Sequence, residues 1–472
     1  MTAQRSSTVP EFRRRAEAAL ANERLQGALE GATGRFQDHR RQALAALPDA
    51  DALRDHFKTM RAATLARLDE HLQTFERNAS AVGARVHWAR DGAEAGAIVS
   101  TIAAKRGVQL VAKTKSMATE EIRLNEALKA AGMTPVETDL GEWIIQLAEE
   151  PPFHIIAPAV HKTRAEVAEL FSTEAGEPLP PDDIPRLTAA ARRLLREKFL
   201  AAGLGITGAN IGVAESGSIV LVTNEGNAEM VTSLPPVHVV VMGIEKIAPT
   251  WDDAAAWLAL LARSATGQPL SIYTTVISGP ARPEDPDGPE EVHIILLDNN
   301  RSQQLGTAYE EALQCIRCGA CLNVCPVYKE AGGHAYGSPY SGPIGAVITP
   351  ILFGLDAYAA LPQASSLCGA CLDVCPVRID LPRMLLELRA DEVEQRLLSW
   401  PERVAENAAA EVLKREWLLR WTSRLLRLLQ RPFAREGHLR LPGSLSSAAG
   451  RPLPALAEKS FRQLWQEGAL DE

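Results

Sequence analysis

The sequence of 472 residues predicts an α/β domain with a mostly parallel sheet, then a helical domain that carries every cysteine, then a helical C-terminal region. Three observations predict this order. Short apolar runs alternate with amphipathic stretches from about residue 85 to 300, which is typical of a parallel sheet covered on both faces by helices. All seven cysteines lie between residues 315 and 375. Beyond residue 380 the apolar residues recur at helical spacing.

The first two segments are an N-terminal helical extension, residues 1–80, and the α/β domain, residues 81–300. The extension is predicted from apolar residues at helical spacing in LRDHFKTMRAATLARLDEHLQTFERNA. Predicted strands of the α/β domain are VQLVAK, FHIIAP, SIVLVT, VHVVVMG, SIYTTVI and VHIILLD. Predicted helices are TEEIRLNEALKAAG, IPRLTAAARRLLREKFLAAG and TWDDAAAWLALLARSATG. The stretch GPARPEDPDGPEE predicts a loop inside this domain, because a strong strand follows it.

Composition and charge exclude several classes of protein. The formal net charge of −9 argues against a general nucleic-acid binder, because phosphate binding needs a basic surface. The N-terminal residues MTAQRSSTVPEFRRRAEAAL contain no apolar segment of the kind that secretion signals have. No stretch approaches 18 consecutive apolar residues, the length needed to cross a bilayer. We therefore expect a soluble, cytoplasmic protein.

The cysteines fall in two motifs that align without a gap, CIRCGACLNVCPV at 315–327 and SSLCGACLDVCPV at 365–377. The first motif is the C-x-x-C-x-x-C-x-x-x-C-P run of bacterial ferredoxins, which holds [4Fe–4S] clusters. Zinc sites instead use two separated pairs of ligands. An odd number of cysteines in such units also argues against a disulfide framework. The sequence therefore predicts two iron–sulfur clusters, each most simply of the [4Fe–4S] type.

The ligands of each cluster follow from the rule that the fourth cysteine of such a run ligates the other cluster. Cluster 1 is predicted to take Cys315, Cys318, Cys321 and Cys375. Cluster 2 is predicted to take Cys325, Cys368 and Cys371. Ser365 occupies the position of an eighth cysteine, which leaves one iron of cluster 2 without a cysteine ligand.

Three alternatives stay open for that iron. An oxygen of Ser365 or of water completes a [4Fe–4S] cluster, a partner protein or substrate supplies the ligand, or the cluster is a [3Fe–4S] cluster. Direct coordination by Ser365 is not assumed, because a serine alkoxide is harder to form than a thiolate. A simpler interpretation is that Ser365 only fills space beside the cluster.

The segment between the two motifs favours a helical ferredoxin domain over residues 301–390. It contains SGPIGAVITPILFGLDAYAALPQA, which is apolar and partly helical rather than a short loop between strands. The stretch GGHAYGSPY follows the first motif. His334 and Tyr336 within it either hydrogen-bond a cluster sulfide and tune its potential or belong to a loop packed against the cluster domain.

The run GLGITG, Gly203–Gly208, matches the dinucleotide-binding pattern only superficially. That pattern requires a strand before it and a helix after it, whereas here a helix precedes it and a strand follows. We interpret Gly203 as part of the helix stop.

Several polar residues follow predicted strands of the α/β domain. Ligands of open α/β sheets bind beyond the carboxyl ends of the strands, so these residues either line an anion or acyl site or belong to solvated turns. They are Lys113, Lys115, Glu215, Asn224 and Glu225. His238 opens a predicted strand and is interpreted as a structural histidine.

The C-terminal region, residues 391–472, contains the amphipathic segment REWLLRWTSRLLRLLQRPF at 415–433. Its apolar face is flanked by arginines, which favours contact with an anionic membrane surface or a partner, or packing within the protein. The apolar residues are Trp417, Trp421, Leu425 and Leu428, and the arginines are Arg420, Arg424, Arg427 and Arg431. The Pro/Gly/Ser-rich stretch LPGSLSSAAGRPLPA and a short final helix follow.

With these residues in view, the chain resembles the lactate utilization protein B family, the iron–sulfur subunits of the bacterial L-lactate utilization system. The resemblance rests on TKSMATEEIRLNEAL, TGANIGVAESGSIVLVTNEGN, CIRCGACLNVCPVY, GGHAYG, YSGPIGAVITP, SSLCGACLDVCPV and KSFRQLW. It implies a lactate-utilization domain related in fold to sugar-phosphate isomerases and coenzyme A transferases. It also implies two partners, a cysteine-rich subunit and a second protein with a lactate-utilization domain, in a complex that oxidises L-lactate to pyruvate for growth on lactate.

Two functions follow from this resemblance and from the motifs. In the first, the chain is an electron-transfer component of an L-lactate dehydrogenase-type complex, and its clusters relay electrons from a neighbouring subunit. In the second, the chain is itself catalytic and binds a hydroxy acid at the open iron of cluster 2. A redox sensor is a weaker alternative, because no output module is recognisable. The first is favoured, because no flavin or nicotinamide motif is present. The amphipathic segment adds an expectation of peripheral contact with the inner face of the membrane.

Overall fold

The computed structural model describes residues 6–398, 400–435, 437–439 and 453–468. These fall in two compact units, Met1–Glu392 and Val393–Glu472. The first unit contains both the α/β domain and the cysteine motifs, and the predicted limits at residues 80, 300 and 390 stay predictions. Within the described ranges no helix combines the length and the apolar character needed to span a bilayer.

Four helices form the N-terminal extension, as the apolar spacing predicts. They are α1 (Val9–Leu20), α2 (Glu23–Ala45), α3 (Ala50–Ala66) and α4 (Leu68–Ala81). The Asn22 side chain caps α2 by accepting the Leu25 N–H at 3.1 Å, which satisfies a donor that a helix start otherwise leaves without a partner.

Strands and helices then alternate through the α/β domain. They are β1 (Arg85–Ala89), α5 (Gly92–Lys105), β2 (Leu110–Lys113), α6 (Met117–Glu121), α7 (Leu124–Ala130), β3 (Thr134–Glu137), α8 (Leu140–Leu147), α9 (Arg164–Ala175), α10 (Ile184–Ala201), β4 (Leu204–Thr207), β5 (Ile211–Val213), β6 (Ser218–Thr223), α11 (Asn227–Ser233), β7 (Val237–Gly243), β8 (Ile247–Ala248), α12 (Trp251–Ala265), β9 (Tyr273–Ile277) and β10 (Glu291–Leu297). Six strands form a parallel sheet in the order β1-β10-β7-β4-β2-β3. A smaller mixed sheet has the order β8-β5-β6-β9.

Both faces of the parallel sheet are covered, which confirms the predicted fold class. Alternate residues of a strand point to opposite faces. On β7, Val240 and Met242 pack in one apolar cluster with α4, while Val239 and Val241 pack in another with α5. Every residue of β7 is buried, as expected for a central parallel strand.

The predicted strand FHIIAP is wrong, because the histidine ring bends the chain. His154 Nδ1 accepts the N–H groups of Ile156 at 3.0 Å and Ala157 at 3.2 Å. Those two amides therefore bond to a side chain rather than to a strand ladder. The segment is instead a largely buried connection between α8 and α9.

Two other segments also differ from the sequence prediction. The helix expected over TEEIRLNEALKAAG divides into α6 and α7 at Arg123, whose φ of +55° breaks the helical path. The run GLGITG contains β4 itself. Gly205 of β4 is needed there, because a Cβ would lie 2.0 Å from the Val231 carbonyl oxygen.

The cysteine domain is helical, as the segment between the motifs predicts. Its helices are α13 (Ala320–Val324), α14 (Pro326–Ala331), α15 (Gly342–Phe353), α16 (Ala360–Gln363), α17 (Ala370–Val374) and α18 (Leu381–Glu394). Residues 301–392 are all described and contain no strand. Helix α15 is buried almost throughout, which explains its uniformly apolar sequence.

Basic residues of α3 bind backbone carbonyls on both sides of the junction between the two domains. Arg61 is fully buried and donates to Glu245 O at 2.6 Å, Ile247 O at 2.8 Å and Leu313 O at 3.2 Å. Its guanidinium lies 4.4 Å from the Trp257 ring centroid. One arginine from the N-terminal extension therefore joins the end of the sheet to the segment before the first cysteine.

The second unit contains α19 (Trp400–Lys414), α20 (Glu416–Gln430), β11 (Ala434–Arg435), β12 (His438–Leu439), β13 (Leu453–Pro454) and α21 (Phe461–Gln466). The three short strands pair antiparallel. Helix α20 matches the predicted amphipathic segment and has no buried residue. Residues 441–452 of the Pro/Gly/Ser-rich stretch lie outside the described residues.

Candidate metal centre

The two cysteine motifs share one backbone conformation. Arg317 and Leu367 precede the second ligand position of each motif with φ of +61° and +54°. Gly319 and Gly369 follow it with φ of +74° and +83°. Each motif then continues into a five-residue helix, α13 or α17, and these two helices pack against each other. The sequence repeat is therefore also a structural repeat.

Ser365 takes the same local position as Cys315. The Arg317 N–H donates to Cys315 Sγ at 3.4 Å, and the Leu367 N–H donates to Ser365 Oγ at 3.2 Å. The serine hydroxyl oxygen therefore lies where the repeat places a thiol sulfur in the first motif.

The thiol pKa values show which cysteines lie close together. Burial raises the pKa of Cys318 to about 12, and charge on Cys315 and Cys375 adds to the shift. Burial likewise raises the pKa of Cys371 to about 12, and here Cys325 and Cys368 contribute. Burial, followed by the charges of Cys315 and Cys318, raises the pKa of the Cys321 thiol, and the charge of Cys371 adds a smaller contribution. Thiols from both motifs therefore converge.

Such a donor set fits iron–sulfur clusters. Buried thiolates that raise one another's pKa need a positive centre among them, and a bound metal deprotonates its thiol ligands. The seven thiols differ in exposure. Five are buried and Cys321 is half-buried, whereas Cys368 of the second motif is exposed.

The α/β domain and the first motif meet through His154 and Tyr328. His154 Nε2 lies 3.2 Å from Asn323 Oδ1 in α13, and Tyr328 donates to Phe153 O at 3.1 Å. Burial lowers the pKa of His154 to about 4. The neutral ring donates from Nε2 to Asn323 and accepts backbone N–H groups at Nδ1, so each ring nitrogen has one defined role.

The two candidate residues of GGHAYG occupy different surroundings. His334 Nε2 lies 2.9 Å from Pro151 O, and the ring packs against Phe153, so this residue contacts the α/β domain. Tyr336 is fully buried beside Cys325. Burial raises the pKa of the Cys325 thiol, and the Tyr336 hydroxyl lowers it by a smaller amount. Among the described residues this hydroxyl has no hydrogen-bond partner of normal geometry.

A buried ionic network joins the sheet to the first motif. Arg301 donates from Nη1 and Nη2 to the two carboxylate oxygens of Glu121, at 2.8 and 2.7 Å, and from Nε to Glu245 Oε2 at 2.7 Å. Arg317 Nη2 lies 3.4 Å from Glu245 Oε1. The Tyr340 hydroxyl donates to Glu121 Oε2 at 2.6 Å. All five side chains are buried.

A cavity of about 550 Å³ adjoins this network. It lies where β2, β4, β6 and β7 end, and Ile316, Arg317 and Tyr340 of the cysteine domain close one side. It therefore occupies the position beyond the strand ends where open α/β sheets bind ligands. Lys246, on its wall, donates to Cys315 O at 3.0 Å.

The predicted polar residues divide between this cavity and other positions. Lys115, Asn224 and Glu225 line the cavity. Lys113 is instead buried in an ion pair with Glu137 at 2.6 Å. Burial, followed by the charge on nearby Asp139, raises the pKa of Glu225 to about 7.

The two remaining candidates have structural positions. Glu215 accepts the Trp251 N–H at 2.7 Å and so binds the start of α12. His238 Nε2 lies 2.9 Å from Thr207 Oγ1 within the sheet, and burial lowers the pKa of the ring to about 3. His238 is therefore a neutral, buried residue, in line with the structural role expected for it.

Comparison with known proteins gives two matches to family models and many full-length relatives. Residues 72–297 match the LUD domain, and residues 311–379 match the 4Fe-4S dicluster domain. A protein of Oceanobacillus iheyensis named "Lactate utilization protein B" is 42% identical over 464 residues, 98% of this chain and 97% of that one. The chain belongs to the lactate utilization protein B family. Its cysteine domain accordingly holds two iron–sulfur clusters, of the 4Fe-4S type that the family model names.

Two further relatives of the same name and one solved structure complete the comparison. The Macrococcus caseolyticus protein is 43% identical over 89% of both chains, and the Bacillus pumilus protein is 46% identical over 81% of both. A crystal structure of a duf162 family protein from Deinococcus radiodurans covers 49% of this chain and 98% of its own, with 14% identity and a TM-score of 0.26.

Sequence reasoning missed the residues that connect this family's two domains. The sequence gives no sign of the contacts made by Arg61, Arg301 and Arg317, because their partners are distant along the chain. Gly243, at the end of the strand VHVVVMG, was one available signal of close packing at this position. A Cβ at this position would lie 2.2 Å from Glu245 Oε2 and 2.8 Å from Arg301 Nε.

Glu121→Gln is predicted to destabilise the protein strongly. The substitution leaves Arg301 and Arg317 to share Glu245, so the buried network carries one uncompensated positive charge, and breaking a buried ion pair on one side costs about 3–5 kcal/mol. Urea unfolding of the anaerobic protein measures the change in the free energy of unfolding. Glu126→Gln is the matched control, because Glu126 forms a partly exposed pair with Arg123 and should change stability by less than about 1 kcal/mol. Equal effects of the two variants would contradict a structural role for the network.

Proposed function

We propose that the chain is the iron–sulfur electron-transfer subunit of a multi-protein system that oxidises L-lactate to pyruvate. The name "Lactate utilization protein B" carried by its relatives supports the process. The main structural support is that the two motifs pack together through α13 and α17. The first motif borders the cavity at Ile316 and Arg317, and the second reaches the surface at Cys368. When bound, the clusters accept and release single electrons.

We assign the cysteines in the crossed arrangement, with Cys315, Cys318, Cys321 and Cys375 on cluster 1 and Cys325, Cys368 and Cys371 on cluster 2. The pKa shifts support this assignment, because the charge of Cys375 in the other motif raises the pKa of Cys318. The charge of Cys325 likewise raises the pKa of Cys371. The Arg54 side chain donates to Asp373 O at 2.6 Å and to Cys375 O at 2.8 Å. It thereby holds the turn that presents Cys375.

The Ser365 hydroxyl supplies the fourth protein ligand of cluster 2 in this proposal. Its support is the shared backbone of the two motifs and the equivalent hydrogen bonds to Cys315 Sγ and Ser365 Oγ. The other two alternatives, a [3Fe–4S] cluster or a ligand from another molecule, are outcomes of the test given below.

The cavity favours the relay over catalysis at an open iron. The described residues that line it come from the α/β domain, from α2 and from the first motif and its following loop, and none belongs to residues 365–375. A hydroxy acid in this cavity would therefore lie beside the cluster 1 ligand Cys315 rather than beside Ser365. Catalysis at the open iron of cluster 2 remains the second candidate function.

The partners in this proposal are a cysteine-rich subunit and a second protein with a lactate-utilization domain. The exposed position of Cys368 supports exchange of electrons with a partner protein, because its part of the motif is accessible from solvent. No role in nucleic-acid binding is proposed, in keeping with the net charge of −9.

We further propose a cytoplasmic location, with contact between α20 and the anionic inner face of the membrane. Trp417 and Trp421 have exposed fractions of 66% and 63%, and arginines flank them, as in helices that lie in a membrane interface.

Cys318→Ser is predicted to remove cluster 1 and stop the relay. Anaerobic protein should lose about four irons per chain, and lactate-dependent electron transfer should fall to background when the variant is combined with its partner proteins. Ser80→Ala, at an exposed position of α4, is the control and should retain both properties. Normal electron transfer by the iron-depleted variant would contradict the proposed relay function. Lactate oxidation by the isolated wild-type chain with an artificial acceptor would favour the catalytic alternative instead.

Ser365→Ala is predicted to release one iron from cluster 2. The variant should hold about seven irons and show the EPR signal of an oxidised [3Fe–4S] cluster. Ser80→Ala, at an exposed position of α4 away from the cysteine motifs in sequence, should hold about eight irons like the wild-type protein. If Ser365→Ala leaves the iron content and EPR spectrum unchanged, the hydroxyl is not a ligand. A [3Fe–4S] signal already present in undamaged wild-type protein would point to the three-iron alternative.

Binding to vesicles tests the proposed membrane contact. The full chain should sediment with vesicles that contain phosphatidylglycerol, less so at high salt, and Trp421→Glu should lose this binding. Trp400→Glu is the matched control, because Trp400 lies on α19 with an exposed fraction of 70%. Equal binding to neutral phosphatidylcholine vesicles, or no binding to either kind, would refute a charge-assisted membrane contact.

A further inference from the structure

The cavity at the strand ends has a size and position that the relay does not require. Its volume of about 550 Å³ lies within the range that proteins use for organic ligands of ordinary metabolite size. A three-carbon acid would fill only a small part of it. An electron relay needs packed protein between its centres rather than a cavity of this size.

The charges on the cavity wall favour an anion. Its lining includes four basic residues and three acidic ones, and Glu245 on this wall pairs with both Arg301 and Arg317. Arg317 is the most significant of the cations, because it is only 8% exposed and its Nη1 has no hydrogen-bond partner among the described residues. An arginine cannot lose its charge in a protein, and a buried donor left without an acceptor costs free energy. An anionic group on a ligand would satisfy it.

The rest of the wall offers hydrogen bonds and apolar contacts. Amide side chains of Asn210, Asn224 and Gln268 line one part, together with the carboxyl group of Glu225. Asn227 and several hydroxyl groups add to these, while Phe36 and Met242 give apolar surface. Amide and carboxyl groups suit sugar hydroxyls, and an apolar surface suits the face of a heterocyclic base.

We propose that this cavity binds a mononucleotide, whose phosphate pairs with Arg317 at the end beside Cys315. A mononucleotide combines the three parts that the wall accommodates, namely an anionic phosphate, a hydroxylated sugar and a flat base. The glycines of GLGITG do not act as a phosphate loop in this proposal, since β4 occupies that run.

Occupation of the cavity changes the surroundings of the first motif. The Arg317 N–H contacts Cys315 Sγ, and Lys246 donates to Cys315 O. A phosphate that pairs with Arg317 places negative charge next to these contacts. Ligand binding is therefore expected to alter the EPR spectrum or the midpoint potential of cluster 1, which gives a second readout besides affinity.

The test uses the full chain, purified anaerobically with its clusters, and isothermal titration with three probes. The probes are flavin mononucleotide, adenosine monophosphate and L-lactate. One equivalent of either nucleotide should bind and change the EPR spectrum, and L-lactate should bind more weakly. Binding of L-lactate alone would overturn the assignment of ligand class, and binding of none of the three would overturn the site.

Two variants test whether the nucleotide binds in this cavity. Arg317→Gln should weaken nucleotide affinity by about tenfold to a hundredfold, the worth of a charge-assisted hydrogen bond, and its iron content must be measured because it adjoins Cys318. If that variant loses iron, Lys115→Gln decides the question. Lys115 lines the cavity directly after β2, and its loss should weaken binding about fivefold or more. Lys129→Gln, on the exposed end of α7, is the control. Unchanged affinity in Lys115→Gln and in iron-replete Arg317→Gln would overturn the location.

These outcomes are separate from those of the relay. A chain that binds no nucleotide can still transfer electrons, and a chain that fails as a relay can still bind nucleotide in the α/β domain.

Discussion

Two buried arginines and two buried glutamates hold the carboxyl end of the sheet against the first cysteine motif. Arg301 binds both Glu121 and Glu245, and Glu245 in turn faces Arg317. None of these charges would be stable alone in such surroundings, because an unpaired buried charge costs several kcal/mol. Their positions are therefore fixed together. The location of Arg317 then determines the path of the chain at Cys315 and one wall of the cavity.

The N-terminal helices complete this arrangement by a different kind of contact. Arg40, Arg54 and Arg61 donate to main-chain carbonyl oxygens of other elements, and Arg54 also donates to Asp51 Oδ1 within α3 at 2.8 Å. Carbonyls at the ends of short helices and turns lack partners within the main chain. The three arginines supply such donors at the second cysteine motif, at the segment before the first motif and at the end of the sheet. The extension therefore sets the orientation of the cysteine-bearing turns.

The sequence predicts local features of this protein well and distant contacts poorly. The cysteine motifs are recognisable because the ligand spacing is itself local, and β7 and β10 are recognisable because a central parallel strand is continuously apolar. The prediction of a strand at FHIIAP failed because His154 binds the backbone N–H groups of Ile156 and Ala157. An apolar pattern gives no sign of such a contact. Lys113 and Lys115 are two residues apart in the same motif. Only their partners distinguish them, since Glu137 pairs with the first and the second lines the cavity.

The long-range contacts of Arg40, Arg54 and Arg61 have a consequence for fragments of the protein. A fragment that begins at residue 72, where the match to the LUD domain starts, would lack all three arginines and the helices that carry them. The carbonyl groups of Val374, Cys375 and Ile247 would then lose these arginine donors. The sheet and the cysteine-bearing turns would also lose the surface that α2 and α3 provide. The match to the LUD domain therefore leaves out side chains that bind the second cysteine motif and the end of the sheet.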